Sequence, residues 1–317
     1  MATVTQLEYI VAVDRFRHFA RAAEHCHVSQ PSLSMQIQKV EDEIGGPIFD
    51  RTKKPILPTD QGARFIEQAK VVLREHRRLI EAAKTGLAEV SGHFRLGVIP
   101  TLAPYLLPLF LDDFAKRYPK VSVHIEELNT ETIVGELSND RLDGGLLATP
   151  LSETRLKEEA LFYEPFFVYL PPDHPLTKKK YIAEDDLDGS EMWLLEDGHC
   201  LRNQVVRVCS LSKGKDVYKN IHFEGGNLET LRYLIQQGRG YTVVPYLFAT
   251  HLGGTERARC IRPFHDPVPT REISLVYHRD QWKAPILRAI AECVRKHVPP
   301  ELLERGDRKS QAVVKVS

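Results

Sequence analysis

The rhythm of apolar and polar positions along this chain changes once, near Ser91-Gly92. Before that point apolar residues recur at the spacing of amphipathic helices, with one short interruption. Leu7, Ile10 and Val11, then Phe16 and Phe19, turn one face of a first helix inward. FARAAEHC carries a second helix, in which Ala20, Ala22 and Ala23 are small enough for a crossing helix to approach closely. His27-Val28-Ser29 reads as a short turn. Ser29 is a good N-cap and Pro31 falls in the first turn of the next helix, where its missing N–H is harmless. That helix is expected over about Gln30 to Ile44. Leu33, Ile37 and Val40 face its core, while Gln30, Ser32, Ser34, Gln36 and Lys39 point outward.

Short hydroxyl and amide side chains near a helix N-terminus can reach base edges and phosphates from a major groove. FDRTKKPILPT follows, with Arg51, Lys53 and Lys54 clustered between Phe49 and Leu57. We read it as a two-stranded wing whose cations neutralise backbone phosphates. A helix pair used only for packing is the plainer alternative, but an alanine-rich helix, a capped polar helix and a basic hairpin in that order point to DNA binding. Thr59 can cap a long helix from Asp60 to about Val90, spanning roughly 45 Å. Its apolar positions include Phe65, Ile66, Ala69, Val72, Leu73, Leu79 and Ile80. Such a helix is too long for the core of one small domain, and pairing with a second copy would bury the stripe.

Beyond residue 91 short apolar runs alternate with amphipathic helices. FRLGVI, VSVHIEEL and GGLLA read as strands, and Tyr105 to Tyr118 and Thr130 to Ser138 as helices, giving an α/β unit with a mostly parallel sheet. A second unit is expected to start near Phe166, with FFVYLPPDHPL, MWLLEDG, a helix in LETLRYLIQQG and the strand YTVVP. EISLVYH and a helix from Pro285 to His297 would return to the first. Two lobes joined by crossing strands leave a cleft at the strands' carboxyl ends, where ligands usually bind. The fold class is therefore α plus α/β: a winged helix-turn-helix (1–59), a linker and dimerisation helix (60–91) and a two-lobed, periplasmic-binding-protein-like regulatory domain (92–304). Residues 305–317 lack apolar rhythm and are expected to be disordered.

Composition narrows the setting. Lys+Arg and Asp+Glu both total 43 of 317 residues, so no global charge pulls the chain toward nucleic acid or anionic membrane, and DNA binding must come from local placement. MATVTQLEYIVAVDRF has no basic leader and carries acidic residues among its apolar ones. It is neither a signal peptide nor a membrane span, and a cytoplasmic location is expected.

In such a setting thiols are kept reduced, and a close cysteine pair is more often metal-binding, catalytic or redox-sensing than a structural staple. LLEDGHCLRNQVVRVC holds that pair, Cys200 and Cys209. His199 and Arg202 lie within two residues of the first sulfur, and positive neighbours favour the thiolate that attacks peroxide. Cys209 could then condense with a sulfenic acid on Cys200. Two buried hydrophobic thiols, as most free cysteines are, is the plainer reading. Zinc is a weaker third, because no partner pair with ligand-like spacing accompanies His199 and Cys200. Cys26, Cys260 and Cys293 stand alone and default to packing, and no cofactor or metal is expected.

EYIVAVDRFRHFARAAEHCHVSQPSLSMQIQKVEDEIGGPIFDRT resembles the winged helix-turn-helix of LysR-type transcriptional regulators. IPTLAPYLLP, LLEDGHCLRNQ, GGNLETLR and REISLVYH resemble the hydrogen-peroxide-sensing members of that family, with EDGHCLR the discriminating segment. The resemblance implies that Cys200 is the peroxidatic and Cys209 the resolving cysteine. It further implies that Thr101 and Thr130 help hold peroxide, that His199 shapes the pocket and that Arg271 favours the thiolate. From chemistry alone, Thr101 and Thr130 could cap the helices after them and Arg271 could pair with a surface carboxylate. The implied partners are operator DNA in successive major grooves, a homodimer or homotetramer, RNA polymerase and a glutaredoxin- or thioredoxin-type reductant. Two other classes stay open: a family member that binds an organic effector, with the thiols incidental, and a thiol peroxidase.

Overall fold

The computed structural model describes residues 2–84, 90–209, 225–279, 283–304 and 311–314. The chain divides into two compact units, residues 1–89 and 90–317.

In the first unit α1 (Val4–Phe16) opens on a reciprocal cap between Thr3 and Gln6 and stops at Arg17, in left-handed backbone at φ 50°. α2 (Phe19–His25) and α3 (Gln30–Ile44) follow, the latter capped by the Ser29 hydroxyl accepting from the Ser32 N–H at 3.4 Å and closed by Gly45 at φ 76°. Ile10, Val13, Phe19, Ala22, Leu33, Ile37 and Val40 interlock as the core, with Ile48 and Phe49 from the hairpin edge. The expected wing is present: β1 (Phe49–Asp50) pairs antiparallel with β2 (Leu57–Pro58).

Glu41, 4 % exposed, holds the wing to α3. Its carboxylate accepts from the backbone N–H of Ile48 at 2.8 Å and from Arg51 Nη2 at 2.7 Å. α4 (Asp60–Lys84) starts under the Thr59 hydroxyl, which accepts from the Gly62 N–H at 2.9 Å. Gly62 has to be glycine, because a Cβ there would collide with the Ile48 carbonyl. The apolar stripe read along α4 splits in two. Ile66, Ala69 and Leu73 are buried within this unit, the last two against Leu7. Val72, Leu79 and Ile80 stay 49 %, 68 % and 46 % exposed. Val90, expected to end this helix, is outside it and packs with the core of the second unit; residues 85–89 lie outside the described residues.

The second unit runs β3 (Gly92–Val98), α5 (Ala103–Arg117), β4 (Val121–Glu127), α6 (Thr130–Ser138), β5 (Gly144–Thr149), β6 (Leu156–Tyr169), α7 (Cys200–Val208) and α8 (Leu228–Gln236). It continues with β7 (Thr242–Pro245), α9 (Tyr246–His251), α10 (Gly254–Cys260), β8 (Ile261–Pro263), β9 (Val268–His278), α11 (Ala284–His297) and β10 (Gln311–Val313). The main sheet has the order β4-β3-β5-β9-β6-β7, with β10 on β9 and β8 on β6. Pairing is parallel across β4-β3-β5, as expected for an α/β lobe. From β5 through β9 and β6 to β7 and β8 it is antiparallel, a part of the sheet whose strand directions were not read from the sequence. The reason is topological: β6 and β9 carry the chain out to the second lobe and back, so they run in opposite directions.

β6 begins ten residues before the expected Phe166, at Leu156, with a register shift between Ala160 and Phe162. LKEEA carries charges because that half of the strand is only partly covered, and it lacks the continuous apolar signature of FFVY. The tail also differs from expectation. Gln311–Val313 pairs in parallel with Val268–Thr270, and Val314 donates its N–H to the Thr270 carbonyl at 2.8 Å. The short QAVV run supplies β-branched residues for an edge position that the charged residues before it concealed.

Glu41→Ala should lower the stability of the N-terminal unit by about 3 kcal/mol, because the Ile48 N–H and the Arg51 guanidinium both lose their acceptor. Urea unfolding of the full chain, followed by a probe in the first unit, checks this; a loss under about 1 kcal/mol would show that Glu41 does not hold the wing.

Candidate functional site

The turn before α7 is made by Gly198 at φ 91°, a conformation that side chains disfavour. The next residue, His199, is the N-cap, and Cys200 is the first residue of the helix, where unpaired backbone N–H groups gather. Cys209 is the C-cap. Both thiols are free and buried, 3 % and 8 % exposed, along with Leu201, Gln204, Val205 and Val208. At about 1.5 Å rise per residue the two Cα atoms are roughly 13 Å apart, twice the ~7 Å that a disulfide can bridge. α7 therefore keeps the pair apart for as long as it stays helical. Burial, with a smaller contribution from Glu184, pushes the Cys209 thiol up to about 12.

The two cations expected beside Cys200 are already matched. His199 Nε2 lies 3.4 Å from Glu196 Oε1, and the Nε2 edge of its ring abuts Gly226, where a Cβ would come within 2.6 Å of it. Arg202 binds Asp197 Oδ1 through Nε at 2.7 Å and the Leu195 carbonyl through Nη1 at 2.8 Å. Both carboxylates belong to the EDGHC segment itself, so a count of positive neighbours overstated the local positive charge.

Arg271 lies deeper. It is fully buried, as is Glu164, its cross-strand partner between β9 and β6. Nε and Nη2 of Arg271 donate to Glu164 Oε2 at 2.9 and 2.8 Å, Nη1 to the Thr101 hydroxyl at 3.0 Å, and Nη2 also to the Thr101 carbonyl at 3.3 Å. The other Glu164 oxygen accepts from the Leu247 N–H at 2.7 Å, at the start of α9. The carboxylate that Arg271 finds is thus buried, not on the surface. Thr101, with its lone pair taken by Arg271, keeps its own O–H to donate.

Neither threonine caps a helix. Leu102 precedes α5 without a side-chain cap, and the α6 cap is Asn129, accepting from the Thr132 N–H at 2.9 Å. Thr130 is buried, and among the described residues its hydroxyl has no hydrogen-bond partner. Gly198 packs against Asn129, which brings the turn before Cys200 to the start of the helix that carries Thr130. No hydrogen bond joins Cys200 to Thr101, Thr130 or Arg271; Arg271 holds Thr101, and the turn before Cys200 touches Asn129, the residue before Thr130.

The residues expected to face DNA divide likewise. Gln30, Pro31, Lys39, Lys53 and Lys54 are exposed, as is Ser29, although its hydroxyl caps α3. Ser32, Ser34 and Gln36, expected to be exposed, are half-buried. Gln36 accepts from Gln6 Nε2 at 3.0 Å and Ser34 from Arg51 Nη1 at 3.4 Å. Arg51 is pinned to Glu41 and stacked over Phe19 at 5.2 Å, so it braces the wing, while Lys53 reaches Asp50 at 3.9 Å. Met35, 56 % exposed, lies on the outer face of α3 and was missed because it breaks the polar pattern.

Residues 4–63 match the lysR family of bacterial regulatory helix-turn-helix proteins, and residues 87–299 match the LysR substrate binding domain. The chain is 38 % identical over 298 residues to the hydrogen peroxide-inducible genes activator of Dickeya chrysanthemi, covering 93 % of this chain and 95 % of that one. It is 37 % identical to the DNA-binding transcriptional dual regulator OxyR of Escherichia coli, over 92 % of this chain and 94 % of that protein. A full-length OxyR variant of Pseudomonas aeruginosa superimposes with a TM-score of 0.76 at 32 % identity, covering 93 % and 98 % of the two chains. This chain belongs to the LysR family, in its OxyR group. The two-lobed mixed sheet and the winged N-terminal unit are the architecture of that family.

Within this OxyR-group chain, Glu164, Asn129, Gln204 and Glu196 are the site residues that reading the sequence missed. Glu164 had a signal: it is an isolated carboxylate in LFYEPFF, where an apolar strand tolerates a charge only if it is paired. Glu164→Ala should cost about 3–5 kcal/mol, because it leaves Arg271 buried and unpaired. Chemical denaturation of the reduced protein measures this; a loss below ~1 kcal/mol would mean that solvent reaches the guanidinium.

Proposed function

We propose that this chain is a transcriptional regulator that reads hydrogen peroxide through Cys200 and Cys209 and controls antioxidant genes. The observation that carries the proposal is the placement of two free thiols at opposite ends of one short buried helix. Peroxide enters beside the start of α7, with the unpartnered Thr130 hydroxyl and the Thr101 O–H as its hydrogen-bond groups. The Cys200 thiolate attacks one peroxide oxygen, the O–O bond breaks, and Cys200 becomes a sulfenic acid as hydroxide leaves. Cys209 then displaces water from that sulfur, forming the disulfide and giving up its own proton.

The second step cannot occur in the helix. Distance forbids it, and a thiol pushed up to about 12 supplies almost no thiolate. Residues 201 to 208 must unwind, which both closes the gap and returns Cys209 to water. The unwound, cross-linked segment is the second state of the switch. α3 and the wing lysines read operator DNA, and the exposed face of α4 pairs with a second copy, so that a homodimer or homotetramer places its heads on successive major grooves. RNA polymerase responds to the head spacing, and a glutaredoxin- or thioredoxin-type reductant resets the thiols. The protein signals and does not turn over peroxide, and the compartment is the reducing cytoplasm. Among the described residues no helix is long and apolar enough to cross a membrane.

Peptide mass spectrometry before and after one equivalent of peroxide should show a Cys200–Cys209 crosslink, and Cys209→Ser should stop at the Cys200 sulfenic acid. Alkylatable thiols in both would return the chain to effector-binding regulators. Cys200→Ser should give a DNA footprint that no longer changes with peroxide. The Cys209 thiol has a second signature. Its folded value lies above the ~8.5 of an unfolded thiol, so its stabilisation is present below that pH and is lost as pH rises toward 12. At pH 8.5 iodoacetamide should label Cys209 on the order of a hundredfold more slowly in the reduced native protein than in urea. Equal rates would show that α7 does not gate this thiol.

A further inference from the structure

Outside the thiol pair, a buried cysteine assigned to packing has partners of metal-ligand type. Cys293 is 2 % exposed on the inner side of α11, and its Sγ is 3.5 Å from Asp113 Oδ2 on α5. One helical turn later, His297 places Nε2 3.7 Å from the same oxygen. The three donor atoms all lie within 4.8 Å of one another. Nδ1 of His297 is 2.8 Å from the Cys293 carbonyl, and a carbonyl only accepts, so Nδ1 carries the proton and Nε2 offers its lone pair to the cluster. A backbone acceptor on the far nitrogen is the usual support of a metal-bound histidine.

The two distances measured from Asp113 fit a small tetrahedral ion, and the Cys293–His297 pair lies within 4.8 Å. Bond lengths of ~2.3 Å to sulfur and ~2.0–2.1 Å to nitrogen and oxygen place tetrahedral donors roughly 3.3–3.6 Å apart. The two observed separations from Asp113, 3.5 and 3.7 Å, match within a few tenths of an ångström. We propose that Asp113, Cys293 and His297 form a binding site for a zinc-class divalent cation that clamps α11 to α5. The mixed sulfur, nitrogen and oxygen set selects a borderline-soft ion over magnesium or calcium. Asp113 and His297 are 29 % and 24 % exposed, so the ion reaches them from solvent and a water completes the tetrahedron.

Two cations share the carboxylate and compete with the metal: Arg117 Nε at 2.9 Å and Lys296 Nζ at 3.3 Å from Asp113 Oδ2. Both side chains are about half exposed, at 48 % and 49 %, and can turn into water as the ion arrives. The Cys293 thiol donates its proton toward Asp113 Oδ2 at 3.5 Å. The incoming cation replaces that proton: a metal–sulfur bond forms, the S–H bond breaks, and one proton leaves to solvent for each ion bound. The thiolate is then capped by metal and protected from oxidation. None of these groups belongs to α7, so the site stands apart from the peroxide switch.

Cobalt(II) added to the reduced full-length chain carrying Cys200→Ser and Cys209→Ser tests the proposal. One cobalt per chain should bind with intense visible d–d bands and a sulfur-to-cobalt charge-transfer band, and zinc should displace it. Cys293→Ser should abolish the charge-transfer band, and His297→Gln, at a partly exposed position that should leave the fold intact, should weaken binding at least about tenfold. Zinc should also protect Cys293 from alkylation in the unsubstituted chain, read at that residue by mass spectrometry. Absence of the charge-transfer band, its survival in Cys293→Ser, or unchanged affinity in His297→Gln would each overturn the site.

Discussion

The regulatory unit is organised around one buried ion pair. Arg271 and Glu164 face each other across β9 and β6 at the point where those strands pass between the lobes, and neither has any exposed surface. A buried charge is tolerated only when its hydrogen-bonding groups are satisfied, and here the surplus bonds reach into both lobes. The guanidinium takes the Thr101 hydroxyl and carbonyl in the loop after β3, and the carboxylate takes the Leu247 N–H in the first turn of α9. Satisfying one pair therefore fixes the loop after β3, the register of the crossing strands and the origin of a helix in the second lobe. Such a pair specifies one arrangement more than it adds stability, because an apolar pair of the same volume would remove the desolvation penalty but also the directional bonds.

Against that fixed frame, α7 is a weak element. Nine residues are too few for a helix to persist by its own hydrogen bonds, so it depends on burying Leu201, Val205 and Val208. Gln204, fully buried on the same helix, donates to the Val314 carbonyl at 3.0 Å, but its Oε1 has no partner among the described residues. A helix held by packing and carrying an unmet acceptor is a natural place for a segment to have two folds, while β6 and β9 cannot change without exposing a charge pair. The Gln204 bond also connects α7 to the C-terminal strand, which continues past β10 along the edge of β9 next to Arg271.

The N-terminal unit uses the same device on a smaller scale. Glu41, buried on α3, gathers the Ile48 N–H and Arg51, and Arg51 in turn reaches Ser34 and the Phe19 ring. These bonds tie the wing to α3, and the exposed Lys53 and Lys54 are carried on a braced hairpin.

Local pattern alone determined much of this protein. The α3 bounds, the Ser29 cap, the wing, α6, and the alternation of strands and helices in the first lobe are set by near-neighbour chemistry, which periodicity and caps record directly. The close Cys200–Cys209 spacing was equally legible. What tertiary structure decided is everything set by pairs far apart in sequence. Arg271 finds Glu164 across 107 positions and Thr101 across 170; Cys293 finds Asp113 across 180. No local rhythm encodes such meetings. The antiparallel half of the sheet and the paired tail belong to the same class, because a strand's direction and partner are fixed by where its neighbours lie. Even the cations beside Cys200 were misjudged for this reason: a sequence lists charges in a row, and only the folded turn shows that Glu196 and Asp197 had already taken them.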